Sequence, residues 1–351
     1  MTVHRLIGSQ LAAIIFLVTA GTVSAQTQKE LLDELDRTIE EAESYVSAKE
    51  VRIKTIENTL HSRGVSPERQ YRIYGELFDE YQPFNYGKAV ETLDKQMEIA
   101  MLLGDKSKLN DVYLKEAMLN TAAGEFLEAR NDLARVDTTI FTKEQEIAYC
   151  NVQQRFWFDY DENLKGADKS MLRKVAYYRE RLLALADPSS SLSRYVTVRK
   201  YIDEKYFAQA DFINRHSLSR MDPASHDYAN LAYFQARICE SLNRREEMKN
   251  WFIRSAMADI KTATKDNASL FSLADALFKD GDYARAFKYS SFSLEDAIAF
   301  DAKLRQWQIS AILPAVQKSY TDIQQTHQKK DIGKAKKVSQ NLFLILIRKQ
   351  D

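Results

Sequence analysis

The chain has 351 residues, of which 50 are basic and 50 are acidic, so its formal net charge is zero. A neutral chain lacks the basic surface that nucleic-acid binders normally carry, which argues against direct nucleic-acid binding. Hydrophobic residues make up 45% of the chain, whereas Gly (10) and Pro (5) are scarce. This composition favours helices over sheets, because sheets need many turn residues.

The first 25 residues have the layout of a signal peptide. His4 and Arg5 form a weakly basic start, Leu11 to Val18 is an apolar run, and the small residues of "TVSA" precede Gln26. We therefore predict cleavage after Ala25 and export to the periplasm, within the cell envelope. The apolar run is shorter than the roughly 20 residues of a membrane span, and no Cys stands near the cut to carry a lipid anchor.

Residues 26–64 are predicted to form one long N-terminal helix. Its apolar positions recur in steps of three and four, with one lysine among them: Leu32, Leu35, Ile39, Ala42, Val46, Lys49, Ile53, Ile56 and Leu60. This spacing is a heptad pattern. Two interpretations stay open, a coiled-coil partner helix and a helix packed along the first repeat of the same chain. Gly64 can cap the helix, and Ser66 and Pro67 can start the next one.

A repeated pattern occupies residues 65–300. In "LFSLADALFKDGDYARAFKYS", Ala274 is followed by Gly281 seven residues later, Tyr283 nine later and Ala286 twelve later. The upstream stretch "LKEAMLNTAAGEFLEARNDL" has the same spacing in Ala117, Gly124, Phe126 and Ala129. Although aspartates flank the glycine in the first stretch, the alternating oxygen donors and closing Glu of a calcium loop are missing. We interpret both stretches as copies of a structural repeat.

The repeat has a constant period in residues 188–300. Val198, Ala236 and Ala274 are spaced 38 residues apart, and a period of this size predicts stacked helix pairs. The small residue lets two helices of a pair approach, a Gly or Asn takes the turn, and an aromatic residue fills the gap to the next pair. The aromatic position holds Phe207, Arg245 and Tyr283, so one copy has lost its aromatic residue.

Residues 65–187 form a less regular N-terminal repeat block, in which Gly75 and Ala89 mark a stretched copy. "DPSSSLS", Asp187 to Ser193, is the predicted boundary and is expected to kink one superhelix. Residues 301–330 are predicted as a long C-terminal helix bent near Pro314. Residues 331–351 are a basic tail whose apolar stub, Leu342 to Ile347, is too short to span a membrane.

Several stretches, together running from about Leu31 to Tyr320, resemble a family of exported tetratricopeptide-repeat proteins from Bacteroidota-type bacteria that are described as transcriptional regulators. They are "RIYGELFDEYQPFNYGKAV", "YANLAYFQARI", "SAMADIKTATKDNASLFSLADALFKDGDYARAFKY" and "SLEDAIAFDAKLRQWQISAILPAVQKSY". The resemblance implies a periplasmic repeat sensor followed by a membrane span, a cytoplasmic coiled coil and a DNA-binding end. The chain stops where that span is expected. We therefore expect either a truncated or frame-shifted member of the family or the sensor half alone.

The sequence contains no motif for catalysis, cofactor binding or metal binding, and we predict none of these functions. The five histidines do not pair with each other or with Cys at metal-ligand spacing, and His216 and His226, which flank a Pro-containing loop, are predicted to be solvent-exposed. The carboxylate runs "DEYQ", "FDYDEN" and "DEK" are interpreted as solvated helix faces rather than general acid–base pairs. Cys150 and Cys239 are predicted to be buried free thiols, with a bridge between them left open.

Two sets of side chains are candidates for partner binding in a concave groove. Tyr233, Arg237 and Glu240 share one helix face, and Phe271, Asp275 and Phe278 share the corresponding face one repeat later. Burial of the aromatic members between repeats is the alternative. Trp157, Trp251 and Trp307 lie in apolar helical patterns and are predicted to belong to the core.

The sequence therefore predicts an all-α, tetratricopeptide-like helix-pair superhelix with long N- and C-terminal helices. Its predicted function is that of a non-enzymatic interaction module, the sensory half of an envelope signalling or transcription-regulatory protein. A protein or peptide ligand would occupy the groove. The alternative is a glycan- or nutrient-binding helper at the outer membrane. A row of exposed Trp would favour this alternative, whereas a groove rich in charge and Tyr would favour protein recognition.

Overall fold

The structure, a computed structural model, describes residues 27–60, 62, 64–163, 168–265 and 268–348. These residues form fifteen α-helices and one short 3-10 helix and contain no strand, as the sequence predicts. The predicted signal peptide lies outside the described residues. The helices are α1 (Gln28–Glu40), α2 (Ala42–Leu60), α3 (Pro67–Tyr81), α4 (Tyr86–Leu102), α5 (Lys106–Ala123), α6 (Phe126–Arg135), η1 (Thr138–Ile140), α7 (Lys143–Asn163), α8 (Lys169–Leu185), α9 (Ser191–Asp203), α10 (Phe207–Leu218), α11 (His226–Ser241), α12 (Arg245–Lys261), α13 (Ser269–Asp280), α14 (Tyr283–Phe300) and α15 (Lys303–Arg348).

Consecutive helices from α3 to α14 pack as six pairs, and α15 packs against α14 at the end of the array. Most of the helices start at a side chain that accepts a backbone N–H, as polar N-cap residues do. Ser66 is the N-cap of α3, with Pro67 as its first residue, which confirms the predicted start of that helix. The six pairs form the helix-pair superhelix predicted from the 38-residue spacing.

The predicted small residues lie where helices of a pair touch. Ala117, Ala129, Val198, Ala210, Ala236, Ala274 and Ala286 are all buried. The turn position, seven residues after the first small residue, has a positive φ in four copies: 85° at Gly124, 64° at Lys205, 57° at Asn243 and 86° at Gly281. The tight turn is thus made even where the sequence offers no glycine, and Lys205 adopts a conformation that non-glycine residues rarely take.

The aromatic position of the repeat reaches the neighbouring pair at Phe126, whereas Tyr283 contacts Phe278 of its own pair. The ring of Phe126 at the start of α6 lies edge-on to Phe156 and Tyr160 of α7, with centroids 6.1 and 5.5 Å apart. Arg245 holds this position in the copy that lacks an aromatic residue. Its guanidinium Nη2 donates to Asp280 Oδ1 of α13 at 2.5 Å. An ion pair there joins α12 to the next repeat in place of an aromatic contact.

The predicted single N-terminal helix is divided at Glu41, and its two parts pack against different regions. Helix α2 lies along α3, where Lys49 Nζ is 3.1 Å from Glu80 Oε2. The lysine that interrupts the heptad pattern is therefore buried in an intramolecular ion pair. Helix α1 instead packs against α12, near the other end of the array. Because α1 and α2 pack against different helices, the predicted heptad positions do not form one continuous surface.

Helix α1 is held by apolar and ionic contacts. Leu31, Leu32 and Leu35 are buried in the largest apolar cluster together with residues of α11 to α15. On the adjoining side of α1, Asp36 accepts hydrogen bonds from Arg285 (2.9 Å), Lys288 (2.9 Å) and Tyr289 (3.2 Å) of α14. The N-terminal helix thus completes the core of the C-terminal repeats.

The first and last repeats also touch directly. The Lys265 backbone N–H donates to Pro83 O at 2.7 Å. The ring of Tyr86 at the start of α4 lies edge-on to Phe300 at the end of α14, with centroids 6.3 Å apart. These contacts, which we call the seam, bring the two ends of the array together immediately before α15 begins.

Helix α15 is 46 residues long and includes Pro314 within it. Ile309 and Val316 are buried against the preceding helices, whereas Trp307 is 65% exposed. The prediction that Trp307 belongs to the core is wrong, because nine residues at 100° each place it on the side of α15 opposite Val316. Among the described residues, none of the helices combines the length and apolarity needed to cross a bilayer.

Both cysteines are buried free thiols. Burial raises the pKa of Cys150 to about 11, so its thiol stays protonated at neutral pH. The open alternative of a bridge between Cys150 and Cys239 is not realised in this structure.

Candidate functional site

The three predicted partner-binding residues on α11 have different environments. The ring of Tyr233 is half-buried and contacts Phe252 of α12, with centroids 5.7 Å apart. Arg237 and Glu240 are about half exposed, and Arg237 Nη1 donates to Glu240 Oε2 at 2.5 Å. The tyrosine therefore serves the packing of its repeat, while the charged pair faces solvent.

The three predicted residues on α13 divide in the same way. Phe271 packs against the cluster at the junction of α14 and α15, and Phe278 packs against the main cluster and edge-on to Tyr283. Asp275 pairs with Lys279 through a 2.6 Å contact one turn later. Packing between repeats, the alternative left open from sequence, thus describes the aromatic members of both sets.

A mixed aromatic and charged cluster joins α7, α9 and α11, the first helices of three successive pairs. The guanidinium carbon of Arg199 lies 3.8 Å from the ring centroid of Phe158 on α7 and 5.6 Å from that of Phe234 on α11. Burial raises the pKa of the Glu162 carboxyl, and the charges of Arg199 and Arg237 oppose this shift. We call the surface that includes this cluster, Arg237 and Glu240 the first-helix face.

The cluster around Arg199 was not predicted from the sequence. A signal was present, since Phe158 and Glu162 lie four residues apart, as do Arg199 and Asp203, so that each pair shares a helix face. The repeat register also places α7, α9 and α11 side by side. Together, the two observations could have predicted that Arg199 lies between the rings of Phe158 and Phe234 and so connects three repeats.

At least one carboxylate in each of the three runs takes part in an ion pair. Glu80 pairs with Lys49 and Arg52, Asp203 pairs with Arg179 at 2.7 Å, and Asp159 pairs with Arg155 at 2.5 Å. Ion pairs of this kind neutralise the charge of these three carboxylates and restrain the helices that carry them.

Glu116 and Asp132 come nearest to a catalytic carboxylate pair. Burial, together with the charge of the neighbouring Asp132, raises the pKa of Glu116 to about 7. Burial also raises the pKa of Asp132. Arg135 Nη1 lies 3.6 Å from Glu116 Oε2 and 3.5 Å from Asp132 Oδ1, so one cation serves both groups. Neither carboxylate lines the two cavities found beside α7 and α8.

His216 and His226 are both exposed, as predicted. Nδ1 of His226 lies 3.3 Å from the Thr264 hydroxyl. In the described part of the chain, no group of three or more His, Cys, Asp or Glu side chains is arranged to hold a metal ion. Asp280 and Asp282, which flank the glycine of one repeat, are occupied by Arg245 and by the capping of α14.

The stacked helix pairs, the αL turns and the buried small residues define a tetratricopeptide-repeat protein. A family model described as the SusR N-terminal TPR domain matches residues 39–311. This match covers most of the chain, and the chain belongs to that family. A comparison with individual curated proteins finds no match. Because repeat arrays of this kind present extended surfaces to other proteins, the chain is a tetratricopeptide-type interaction module.

Proposed function

We propose that this chain is the exported sensory half of an envelope signalling or transcription-regulatory protein, and that it binds a protein or peptide segment on its first-helix face. The signal-peptide layout of residues 1–25 supports export. The family supports the interaction role. The sequence resemblance supports the link to regulation. In this proposal, the event that the protein senses is the binding of the protein or peptide segment.

The observation that carries the proposal is the contact between the two ends of the array. Helix α1 packs on α12 while α2 packs on α3, and the seam joins Tyr86 to Phe300. A ligand that changes the angle between successive pairs changes the distance between the ends of the array, because small rotations add up along stacked repeats. The contacts of the seam and of α1 join the two ends, so they would be the first to be altered by such a change in distance.

The position of α15 supports this mechanism. It follows the seam directly, since Phe300 ends α14 and α15 begins at Lys303. Its Tyr320 ring stacks on Phe287 of α14 with centroids 5.1 Å apart. A change at the seam would therefore alter the base of the long C-terminal helix, which would pass the change to whatever that helix contacts.

The distribution of tryptophan favours protein recognition over the glycan- or nutrient-binding alternative. Sugar-binding surfaces depend on exposed aromatic faces, and of the three tryptophans only Trp307 is mostly exposed, whereas Trp157 and Trp251 are partly buried. The first-helix face instead offers Arg237, Glu240 and the Arg199 cluster. Charged side chains in paired positions suit a polypeptide that carries complementary charges.

The proposal is tested by pull-down from envelope extracts in parallel with a glycan array. The chain with Arg237→Glu and Glu240→Arg, which exchanges the two charges and keeps the net charge, is expected to lose the captured partner. The matched control exchanges Lys95 and Glu98, an equally spaced and similarly exposed pair on α4. This control should capture the partner as the unmodified chain does.

Binding of oligosaccharides alone would overturn the proposal, as would capture that survives the Arg237 and Glu240 exchange. The mechanical part is checked separately with spin labels on α2 and α15. Addition of the captured partner should change the distance between the labels, and an unchanged distance would remove the role assigned to the seam.

A further inference from the structure

A shortened helix leaves an opening beside α7 and α8. Helix α6 has 10 residues, whereas α4, α8 and α12 each have 17. The connection after α6 carries η1 and is held in place by Asn110 of α5. The Asn110 amide donates to Asp137 O at 2.9 Å, and its oxygen accepts from the Asp137 N–H at 2.9 Å. The wall of the opening is therefore formed before any ligand arrives.

Two adjoining cavities occupy this region, and we call them together the α7–α8 cleft. One has a volume of about 500 Å³ and includes Trp157, Arg173 and Lys174 in its lining. The other has a volume of about 420 Å³ and reaches Phe141 and the buried Cys150. Tyr177 and Tyr178 line both cavities. Each of the two volumes falls within the range of ligand-binding pockets.

The cleft carries positive charge that is not neutralised. Arg173 and Lys174 are exposed, and neither is ion-paired with a carboxylate in the described residues. The Ser170 backbone N–H lowers the pKa of the Asp168 carboxyl, and the two cations add to this effect from a longer distance. By contrast, the third cation of the cleft, Arg181, is already committed, because its Nε donates to Glu146 Oε1 at 2.6 Å.

The aromatic residues of the cleft do not form a platform for a sugar ring. Lys174 Nζ lies 3.5 Å from the ring centroid of Trp157 and covers one face of the indole. The indole N–H donates to Gln153 at 2.9 Å. Only Tyr177 is strongly exposed, at 58%. The one carboxylate in the lining, Glu146, is paired with Arg181, so it does not offer the free acceptor that sugar hydroxyls usually meet.

We propose that the α7–α8 cleft is a second binding site, separate from the first-helix face, for an acidic peptide segment that carries an aromatic or large aliphatic side chain. Carboxylates of the segment pair with Arg173 and Lys174, and its apolar side chain packs on Tyr177. The site lies where a longer α6 would have covered α8. It is independent of the function proposed above, because it does not require a ligand on the first-helix face.

The test measures fluorescence anisotropy with a short fluorescein-labelled, glutamate-rich peptide that contains phenylalanine. The same peptide with alanine in place of phenylalanine serves as the comparison probe. Replacing Arg173→Glu and Lys174→Glu together is expected to weaken binding by about tenfold or more, because both attractive charges become repulsive. Tyr177→Ala should weaken binding of the phenylalanine peptide and leave the alanine peptide unchanged.

The matched control is Arg220→Glu with Lys318→Glu, which changes the net charge equally at exposed positions on other elements. It should bind the phenylalanine peptide as the unmodified chain does. Equal weakening in the control would overturn the site, since the binding would then reflect overall charge. Neutral oligosaccharides that bind in a Tyr177-dependent but charge-independent way would also overturn it. Circular dichroism of each variant verifies that the helices are intact.

Discussion

The C-terminal repeats and the pair α7–α8 in the middle of the array differ in how completely they are closed. Helices α11 to α14, together with α1, enclose the largest apolar cluster, which includes Leu35, Phe252 and Leu273. Helices α7 and α8 share only a small cluster with Cys150, Leu182, Ala186 and Val196 as its buried members. Equal spacing lets each pair cover the next, whereas the short α6 leaves part of α8 uncovered. In this protein, regular repeats provide stability and the irregular one provides accessible surface.

The largest effect that sharpens this comparison is expected from truncating a buried leucine in each region. Leu273→Ala should lower the free energy of unfolding by about 3 to 5 kcal/mol, because its neighbours in the closed cluster cannot fill the cavity. Leu182→Ala should cost about 2 to 3 kcal/mol, because the adjoining cleft lets neighbours shift. Both leucines are fully buried, so the losses of stability caused by the two substitutions can be compared directly.

Urea denaturation followed by circular dichroism and tryptophan fluorescence measures both losses. Two probes are needed, because stacked repeats can lose one unit before the rest. Equal costs for the two substitutions would show that the region next to the cleft is packed as tightly as the C-terminal repeats.

A smaller effect concerns the attachment of α1 to the closed region. Burial alone would raise the pKa of Asp36, but hydrogen bonds from Lys288 and Arg285 leave it lowered. A lowered folded-state pKa adds stability above the unfolded value of about 3.9, and this stability is lost as the pH falls through the folded value. We therefore expect α1 to loosen below about pH 4. Asp36→Asn should loosen it at neutral pH as well, by about 1 to 2 kcal/mol.

Hydrogen exchange of the α1 amides, corrected for intrinsic exchange rates, checks this expectation. Asp322→Asn on the exposed part of α15 removes one carboxylate elsewhere and should leave exchange in α1 unchanged. If protection of α1 is the same in the Asp36 variant and in the unmodified chain, the apolar contacts alone hold the helix.

The smallest expected effect distinguishes copies within the regular repeats. Lys205 has φ = 64° at the turn position where two other copies have Gly, so Lys205→Gly should raise the free energy of unfolding by up to about 1 kcal/mol. Asn243→Gly, at φ = 57°, should give a smaller gain, because Asn adopts this conformation at lower cost. Thermal unfolding monitored by circular dichroism compares the two, and a larger gain for the Asn243 variant would contradict the backbone argument.

The repeat framework could be predicted from the sequence because its determinants are local. The spacing of Ala274, Gly281 and Ala286 specifies two helices, their turn and their close approach, and the structure has all three. Periodicity also identifies which side of a helix is apolar, but it does not identify what covers that side. The attachment of α1 to α12, more than two hundred residues away, therefore had no sequence signal.

The candidate site was less predictable for the same reason. The residues on α11 and α13 were selected by helical phase, which cannot separate a residue that faces solvent from one that packs against the next repeat. Arg237 and Glu240 face solvent, while Tyr233 and Phe271 pack. The α7–α8 cleft depends on where α6 ends, and helix ends are among the least certain features of a sequence-based prediction.

The attachment of α1 has a consequence for biogenesis. Chains are synthesised from the N-terminus at about 5 to 20 residues per second, so Leu31, Leu32 and Leu35 emerge long before α12 exists to cover them. For tens of seconds the newborn chain carries an apolar stripe without its native partner, a state that invites aggregation or capture by a chaperone. Helix α1 can therefore reach its native position only after the C-terminal repeats have been made, and burial of its leucines reports that those repeats have folded.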